Sequence, residues 1–235
     1  MSENNDQHRK DILRKKMQDL QDVRIGPLPP DSPWVRPVRM HFRQDGKTKN
    51  WDLLRIHDSV AMIVFNTTRK KLIFVSQFRP AVYFSSLPEK QGEIDTNKYS
   101  PSLGVTLELC AGIVDKNLPV PDIAREELLE ECGYDAPVTK IFLYINVYRS
   151  GVGPTGALET LFYVEVTDEM RVNPGGGSEV EGELIEVLEL SVEEFKEYIG
   201  RPSIQSPPEI LFAAFWFFHN KPEHSESSIF PRSIL

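Results

Sequence analysis

Residues 112–134 read GIVDKNLPVPDIAREELLEECGY, and from Asp122 to Glu131 five carboxylates alternate with Ala124, Leu128 and Leu129. Pro121 followed by Asp122 reads as a helix start, and Gly133 as a stop just past the last turn. At about 100° per residue, Ala124, Leu128, Leu129 and Cys132 fall within roughly 140° on one side of that helix. Glu127, Glu130 and Glu131 fall within roughly 100° on the other side. Like charges on neighbouring helical positions cost a few tenths of a kcal/mol per pair unless something offsets them. A hard divalent cation is the natural offset, because Mg²⁺ takes a few carboxylate oxygens together with water and substrate phosphates. The plain alternative is a solvated acidic face.

The rest of the chain narrows the choice. At 235 residues it is one ordinary domain with extensions, or at most two small ones. A formal net charge of −8 argues against nonspecific binding to nucleic acid or anionic membrane. An acidic protein that handles a phosphorylated substrate therefore needs metal ions or a local basic cluster. The two cysteines, Cys110 and Cys132, sit in apolar settings and do not suggest a disulfide scaffold, so a reducing compartment is expected. The first residues have no apolar core of the secretory type. The longest apolar run, Ile210 to Phe218, is too short to span a bilayer. A cytoplasmic protein is the expectation.

Along the chain, residues 1 to about 22 are charged, with Ile12, Met17 and Leu20 too sparse for a core, and read as a frayed helix or disordered tail. A proline-rich connector leads to two alternating runs, Val38–Phe42 and Lys49–Ile56, joined at Asp45-Gly46, a hairpin signal. Ser59–Phe65 and Lys71–Gln77 are buried-strand candidates, and residues 84–103 a polar, mobile insertion. Val105–Leu109, Lys140–Tyr148, Thr160–Val166 and Glu183–Leu190 read as further strands. Val192–Ile199 and a segment from Ser206 to about His219 read as helices. A mixed sheet with helices on both faces, an α/β architecture, fits this order.

Four more constellations stand out. Arg79, in Gln77-Phe78-Arg79-Pro80-Ala81, ends a strand with a planar fork of donors suited to phosphate oxygens; a surface ion pair is the plain reading. Glu108 lies in Glu108-Leu109-Cys110-Ala111-Gly112, just before the acidic helix. The loop Ser150–Gly156 can expose backbone N–H groups to a ligand, although a simple hairpin loop has the same composition. A triple glycine, Gly175–Gly177, precedes Glu179, Glu181 and Glu183. The histidines and cysteines have no zinc-ligand spacing.

Taken together, the 112–134 stretch resembles the signature of the Nudix hydrolase family: Gly, five residues, Glu, seven residues, then Arg-Glu-aliphatic-X-Glu-Glu-X-Gly-aliphatic. Gly112, Glu127, Leu128, Glu130, Glu131, Gly133 and Tyr134 match at the family's spacing. Leu118 stands where the family has its first Glu, and Glu126 where it has Arg. Arg125 would serve only through an extra helical residue, a rare π turn, so Glu127 is kept in the metal-facing set. QFRPA and ELCAG resemble the nucleoside diphosphate sugar pyrophosphatases within the family, with Cys110 replacing a proline.

The resemblance implies a Nudix fold, a mixed sheet between helices with an N-terminal strand hairpin. It implies residues 35–220 as the catalytic domain, 1–34 as a partly disordered extension and 221–235 as a tail. Hydrolysis of UDP-glucose to UMP and glucose 1-phosphate is the implied reaction, with ADP-ribose as the alternative substrate. Mg²⁺, or Mn²⁺ in its place, would be held by Glu127, Glu130, Glu131 and the Ala111 carbonyl. Glu181 or Glu183 would act as base, with Glu179 also open and Glu127 in the catalytic set. Arg79, Glu108, Gly151, Gly153 and Thr155 would contact substrate. A homodimer exchanging N-terminal strands is implied as well. Leu118 and Glu126 favour the competing reading, a catalytically weakened binding module.

Overall fold

The computed structural model describes residues 3–32, 35–88, 91–138 and 142–224. Its centre is a seven-stranded mixed sheet built on β4 (Ser59–Asn66) and β5 (Lys71–Phe78). β10 (Leu158–Val166) runs parallel to β4 over its whole length, and β9 (Phe142–Arg149) pairs antiparallel to β10 at the edge. On the other side β11 (Ile185–Ser191) lies antiparallel to β5. Lys140, the expected start of β9, lies outside the described residues.

The sheet forks. β4 and β5 pair only from Val64–Ile73 to Asn66–Lys71, then diverge. β7 (Val105–Glu108) pairs with the free end of β5, and β8 (Cys110–Ile113) with the free end of β4. The chain crosses between these two short strands at Leu109, which places Glu108 and Ala111 inside the fork. Val105–Leu109 was expected as one strand, and β8 was not expected at all. Its residues, Cys-Ala-Gly-Ile, show neither alternation nor β-branched enrichment before the last position.

β4 presents Val60, Met62 and Val64 to one face and Ala61, Ile63 and Phe65 to the other, all buried. The first face packs on Ile123, Ala124, Leu128 and Cys132 of the acidic helix. The second packs on Phe195 of α4 (Val192–Ile199) and on Ile210, Ala213, Ala214 and Phe217 of α5 (Glu209–Asn220). The layering is helix, sheet, helix, as expected for the Nudix fold. Burying each of these large apolar side chains contributes about 1.5–3 kcal/mol. Among the described residues no helix is long and apolar enough to cross a membrane.

β2 (Arg36–Gln44) and β3 (Lys47–Arg55) form the expected hairpin, turning on Asp45 (φ 52°) and Gly46 (φ 68°). Positive φ at both central residues is the twist-matched turn that Asp-Gly supports. The hairpin is a separate two-stranded sheet, with Val38, Met40 and Trp51 exposed.

Of the two readings of the N-terminal residues, frayed helix or disordered tail, the helix holds and the tail does not: residues 3–17 form α1. Arg14 grips the buried Glu186 of β11 with two bonds of 2.8 and 2.6 Å, and Arg9 donates to the Gly175 carbonyl at 2.6 Å. These polar bonds join the buried Met17 in docking the helix, so the spacing of apolar residues alone did not reveal it. Residues 84–103 are not a plain loop either. α2 (Pro80–Ser86) covers the first of them, and β6 (Gly92–Glu93) pairs with β1 (Arg24–Ile25).

Candidate active site

The acidic segment begins as α3 (Val120–Glu127) and ends in a π turn, Leu128–Cys132. Gly133 follows at φ 79° and stops the helix; a Cβ there would collide with the Asn173 carbonyl. The rare wide turn therefore exists, but it does not turn Arg125 towards Glu127. Arg125 pairs outward with Asp135 at 2.6 Å, and Glu126 pairs with Lys116 at 2.7 Å. Neither the residue at the family's Arg position nor the one before it orients Glu127.

Gly112 does that work by absence. A Cβ at residue 112 would fall within the Glu127 carboxyl group, so only glycine leaves room for that side chain against β8. Glu131 accepts from the Ala111 backbone N–H at 2.9 Å and is only 4% exposed. Ala111 thus lies directly against the carboxylates. The triple glycine then closes the end of the acidic helix. Gly176 N–H donates to the Glu131 carbonyl at 2.9 Å and Gly177 N–H to the Glu130 carbonyl at 3.2 Å. Gly175 is at φ 68°, and a Cβ there would strike the Glu131 carbonyl. The close approach requires glycine. The same loop holds Glu183, whose carboxylate accepts from Ser178 N–H at 2.9 Å.

The electrostatics are those of crowded, desolvated acids. Burial first, then the charge of Glu130, push the Glu127 carboxyl up to about 7, eased by Lys116. Burial pushes Glu131 up to about 8; the bond from Ala111 opposes this, while Glu127 and Glu183 add to it. Glu130 is raised by burial and by the charges of Glu183 and Glu181. The donor set is all oxygen with excess negative charge, which suits a hard divalent cation. Among the described residues no three of these groups already converge on one point.

Arg79 and Glu108 pair with each other, a contact the sequence did not point to. Arg79 donates from Nε and Nη2 to the two Glu108 oxygens at 2.8 and 2.6 Å, while Thr106 donates to the same carboxylate. The Arg79 guanidinium is raised by its bonds to Glu108, opposed by burial, and feels the charges of Glu131 and Glu183. It stands between β7 and the acidic helix. Of the candidate bases, Glu183 is half-buried and lies in the field of Glu127, Glu130 and Glu131, while Glu179 and Glu181 are exposed.

The Ser150–Gly156 loop is arranged differently. Thr155 and Gly156 N–H groups both donate to the Gly151 carbonyl, at 3.1 and 2.7 Å, and Thr155 Oγ1 donates to it at 3.0 Å. Gly153 and Pro154 carbonyls accept from Trp51 Nε1 and Leu54 N on β3, at 3.0 and 2.8 Å. The recorded contacts of Gly151, Gly153 and Thr155 are within this loop and to the hairpin, not to the carboxylates. Two residues near the site went unread in the sequence, Lys116 beside the acidic helix and Glu209 at the start of α5. Neither sits in a pattern that marks it.

No family model matches the chain. Curated relatives do. Uridine diphosphate glucose pyrophosphatase NUDT14 of Mus musculus is 39% identical over 220 residues, covering 88% of this chain and 98% of that protein. NUDT14 of Bos taurus is 39% identical over 199 residues, 80% of this chain and 89% of that protein. GDP-mannose pyrophosphatase of Cronobacter sakazakii is 32% identical over 155 residues, 66% of this chain and 70% of that protein. Likeness over almost the whole length joins the glycine-cradled carboxylates in placing the chain in the Nudix hydrolase family, as an enzyme acting on acid anhydrides.

Proposed function

We propose that this enzyme hydrolyses the pyrophosphate bond of nucleoside diphosphate sugars with a divalent cation, Mg²⁺ or Mn²⁺, converting UDP-glucose to UMP and glucose 1-phosphate. One observation carries the reading. Four carboxylates, Glu127, Glu130, Glu131 and Glu183, crowd one end of the acidic helix beside Arg79, and two of them are pushed up to about 7 and about 8. Glu127, Glu130, Glu131 and the Ala111 carbonyl would hold the ion. When bound, the ion neutralises charge on the pyrophosphate oxygens and makes water more acidic.

The chain's own residues do the rest. Glu108 fixes the Arg79 fork through Nε and Nη2, leaving Nη1 to donate to a phosphate oxygen. Glu183 takes the proton from the attacking water, ahead of Glu181, because it is held by the triglycine loop against the same carboxylates. Such a base is typically worth about 10²–10⁴ in rate. Gly151, Gly153 and Thr155 serve substrate only through groups left over from their own turn. The exposed two-stranded hairpin supports a homodimer, because an isolated hairpin is marginal in water. The two buried free cysteines support a cytoplasmic setting. The catalytic unit in this reading is residues 35–220, with 1–34 an extension and 221–235 a tail.

The test is product analysis on UDP-glucose, GDP-mannose and ADP-ribose with Mg²⁺, Mn²⁺ or chelator. UMP and glucose 1-phosphate formed only with a divalent cation support the proposal. No product from any of the three, or turnover untouched by chelator, contradicts it.

A further inference from the structure

A cavity of about 430 Å³ opens on the side of the Arg79–Glu108 pair that faces α2 and the segment before α5. Its volume is within the usual range for small-molecule sites. Arg79 belongs to both places: it lines the cavity, and it feels the charges of Glu131 and Glu183. A pyrophosphate held by Arg79 would therefore direct one of its two substituents into this space.

The lining says which one. Among the described residues no aromatic side chain lines the cavity, which offers a nucleobase nothing to stack on there. Glu108 and Glu209 both line it; Glu108 is held by Arg79, and the Glu209 carboxyl is placed to bond hydroxyl groups. Val82 and Ile204 supply apolar surface for the carbon face of a ring. That combination suits a neutral polyol.

The rim is hydrogen-bonded in place. Gln205 donates from Nε2 to the Leu103 carbonyl at 2.5 Å, and its own carbonyl accepts from Leu107 N–H at 3.0 Å. These bonds tie the segment to β7 and to the turn before it, and leave Gln205 Oε1 as a remaining acceptor. Glu209 is pushed up to about 7 by burial and by the charges of Glu159 and Glu108, opposed by Arg79. Either of its protonation states can bond a hydroxyl.

We propose that this cavity receives the sugar of the nucleoside diphosphate sugar, and that Glu209 and Gln205 read its hydroxyl groups. The inference rests on the function proposed above and adds the sugar-discriminating residues.

The experiment compares ratios. kcat/KM is measured for the wild type, Glu209→Gln and Gln205→Ala on UDP-glucose, UDP-galactose, UDP-xylose and ADP-glucose, with melting temperatures alongside. Expected is a shift of about tenfold in at least one ratio among the three uridine substrates, because removing a partner from a hydroxyl-reading site changes discrimination strongly. The UDP-glucose to ADP-glucose ratio stays within about twofold, since the base lies elsewhere. Sugar ratios unmoved in both variants, or a base ratio that moves as much, overturn the inference. Gln205→Ala changes an exposed rim residue and carries the test alone should Glu209→Gln not fold. A wild type that turns over none of the four sinks the proposed function and this inference with it. Turnover with unmoved sugar ratios sinks only the inference.

Discussion

Two regions of this molecule gather carboxylates and treat them in opposite ways. Beside β11, Glu189 receives Arg69 Nη1 at 2.6 and 2.5 Å, with Arg171 at 3.7 Å. Asp168 receives Arg69 Nε at 2.6 Å and Asn66 Nδ2 at 2.7 Å, and Tyr134 takes a third bond from Arg69. Burial alone would push Asp168 up, yet the bonds from Asn66 and Arg69 hold it below the usual carboxylate range. At the end of the acidic helix no such partner is present. Among the described residues no ion pair includes Glu127, Glu130, Glu131 or Glu183, and the cations nearby are bound to Glu108, Glu126 and Asp135. A carboxylate matched by an internal Arg builds structure. One left with raised affinity for protons has capacity for a cation from outside.

The contrast is broken most forcefully at Glu131. Glu131→Gln removes one charge from the unpaired set, so kcat with Mg²⁺ should fall by about 10²–10³ while the melting temperature holds or rises. A variant keeping more than half the wild-type kcat would mean that Glu131 serves structure only. Arg69→Ala should do the reverse. It leaves Glu189 and Asp168 without their shared partner, at a cost on the order of 2–3 kcal/mol in denaturant unfolding. Its folded fraction should keep the wild-type kcat; a large loss there would join the two regions into one functional unit.

These regions also differ in how far the sequence exposed them. β4, β5, the Asp45-Gly46 hairpin and α5 were legible because alternation, turn chemistry and a continuous apolar run act locally. Glu127, Glu130 and Glu131 were legible from helical spacing. The role of Gly112 as the floor under Glu127 was not, since it depends on β8 meeting α3 across the fork. Arg69 gave no signal, because its partners lie about a hundred residues away along the chain. The docking of α1 gave no signal for a similar reason: Arg14 reaches Glu186 and Arg9 reaches Gly175, both far along the chain. Arg125 and Glu126 both turn away from Glu127, drawn by Asp135 and Lys116, partners that helical spacing does not reveal.

Arg79 sharpens the comparison at intermediate size. Arg79→Lys keeps a positive charge beside Glu108 but loses the planar fork, so KM for UDP-glucose should rise by about tenfold with little change in melting temperature. An unchanged KM with lower stability would make Arg79 a structural pair like Arg69. The smallest effects belong to the two residues that face outward. Arg125→Ala and Glu126→Arg should each keep kcat within about threefold of wild type, the scale of an exposed ion pair. A tenfold gain in Glu126→Arg would show that an arginine there reaches Glu127 after all.

The central claim is that the acidic helix holds its carboxylates ready for a cation, and unfolding measured against pH with and without Mg²⁺ tests it most directly. Glu131 has an ordinary value of 4.5 and a folded-state value of about 8. Its folded form therefore keeps a proton that the unfolded chain releases between those values. The stability linked to that proton is complete below about 4.5 and is lost as pH rises to about 8. The chelated protein should melt at progressively lower temperature from pH 5 to pH 8. Mg²⁺ should raise the melting temperature strongly at pH 8 and hardly at pH 5, and Glu131→Gln should flatten both trends. A chelated protein whose stability rises over that range, with no greater Mg²⁺ effect at pH 8 than at pH 5, would contradict the account.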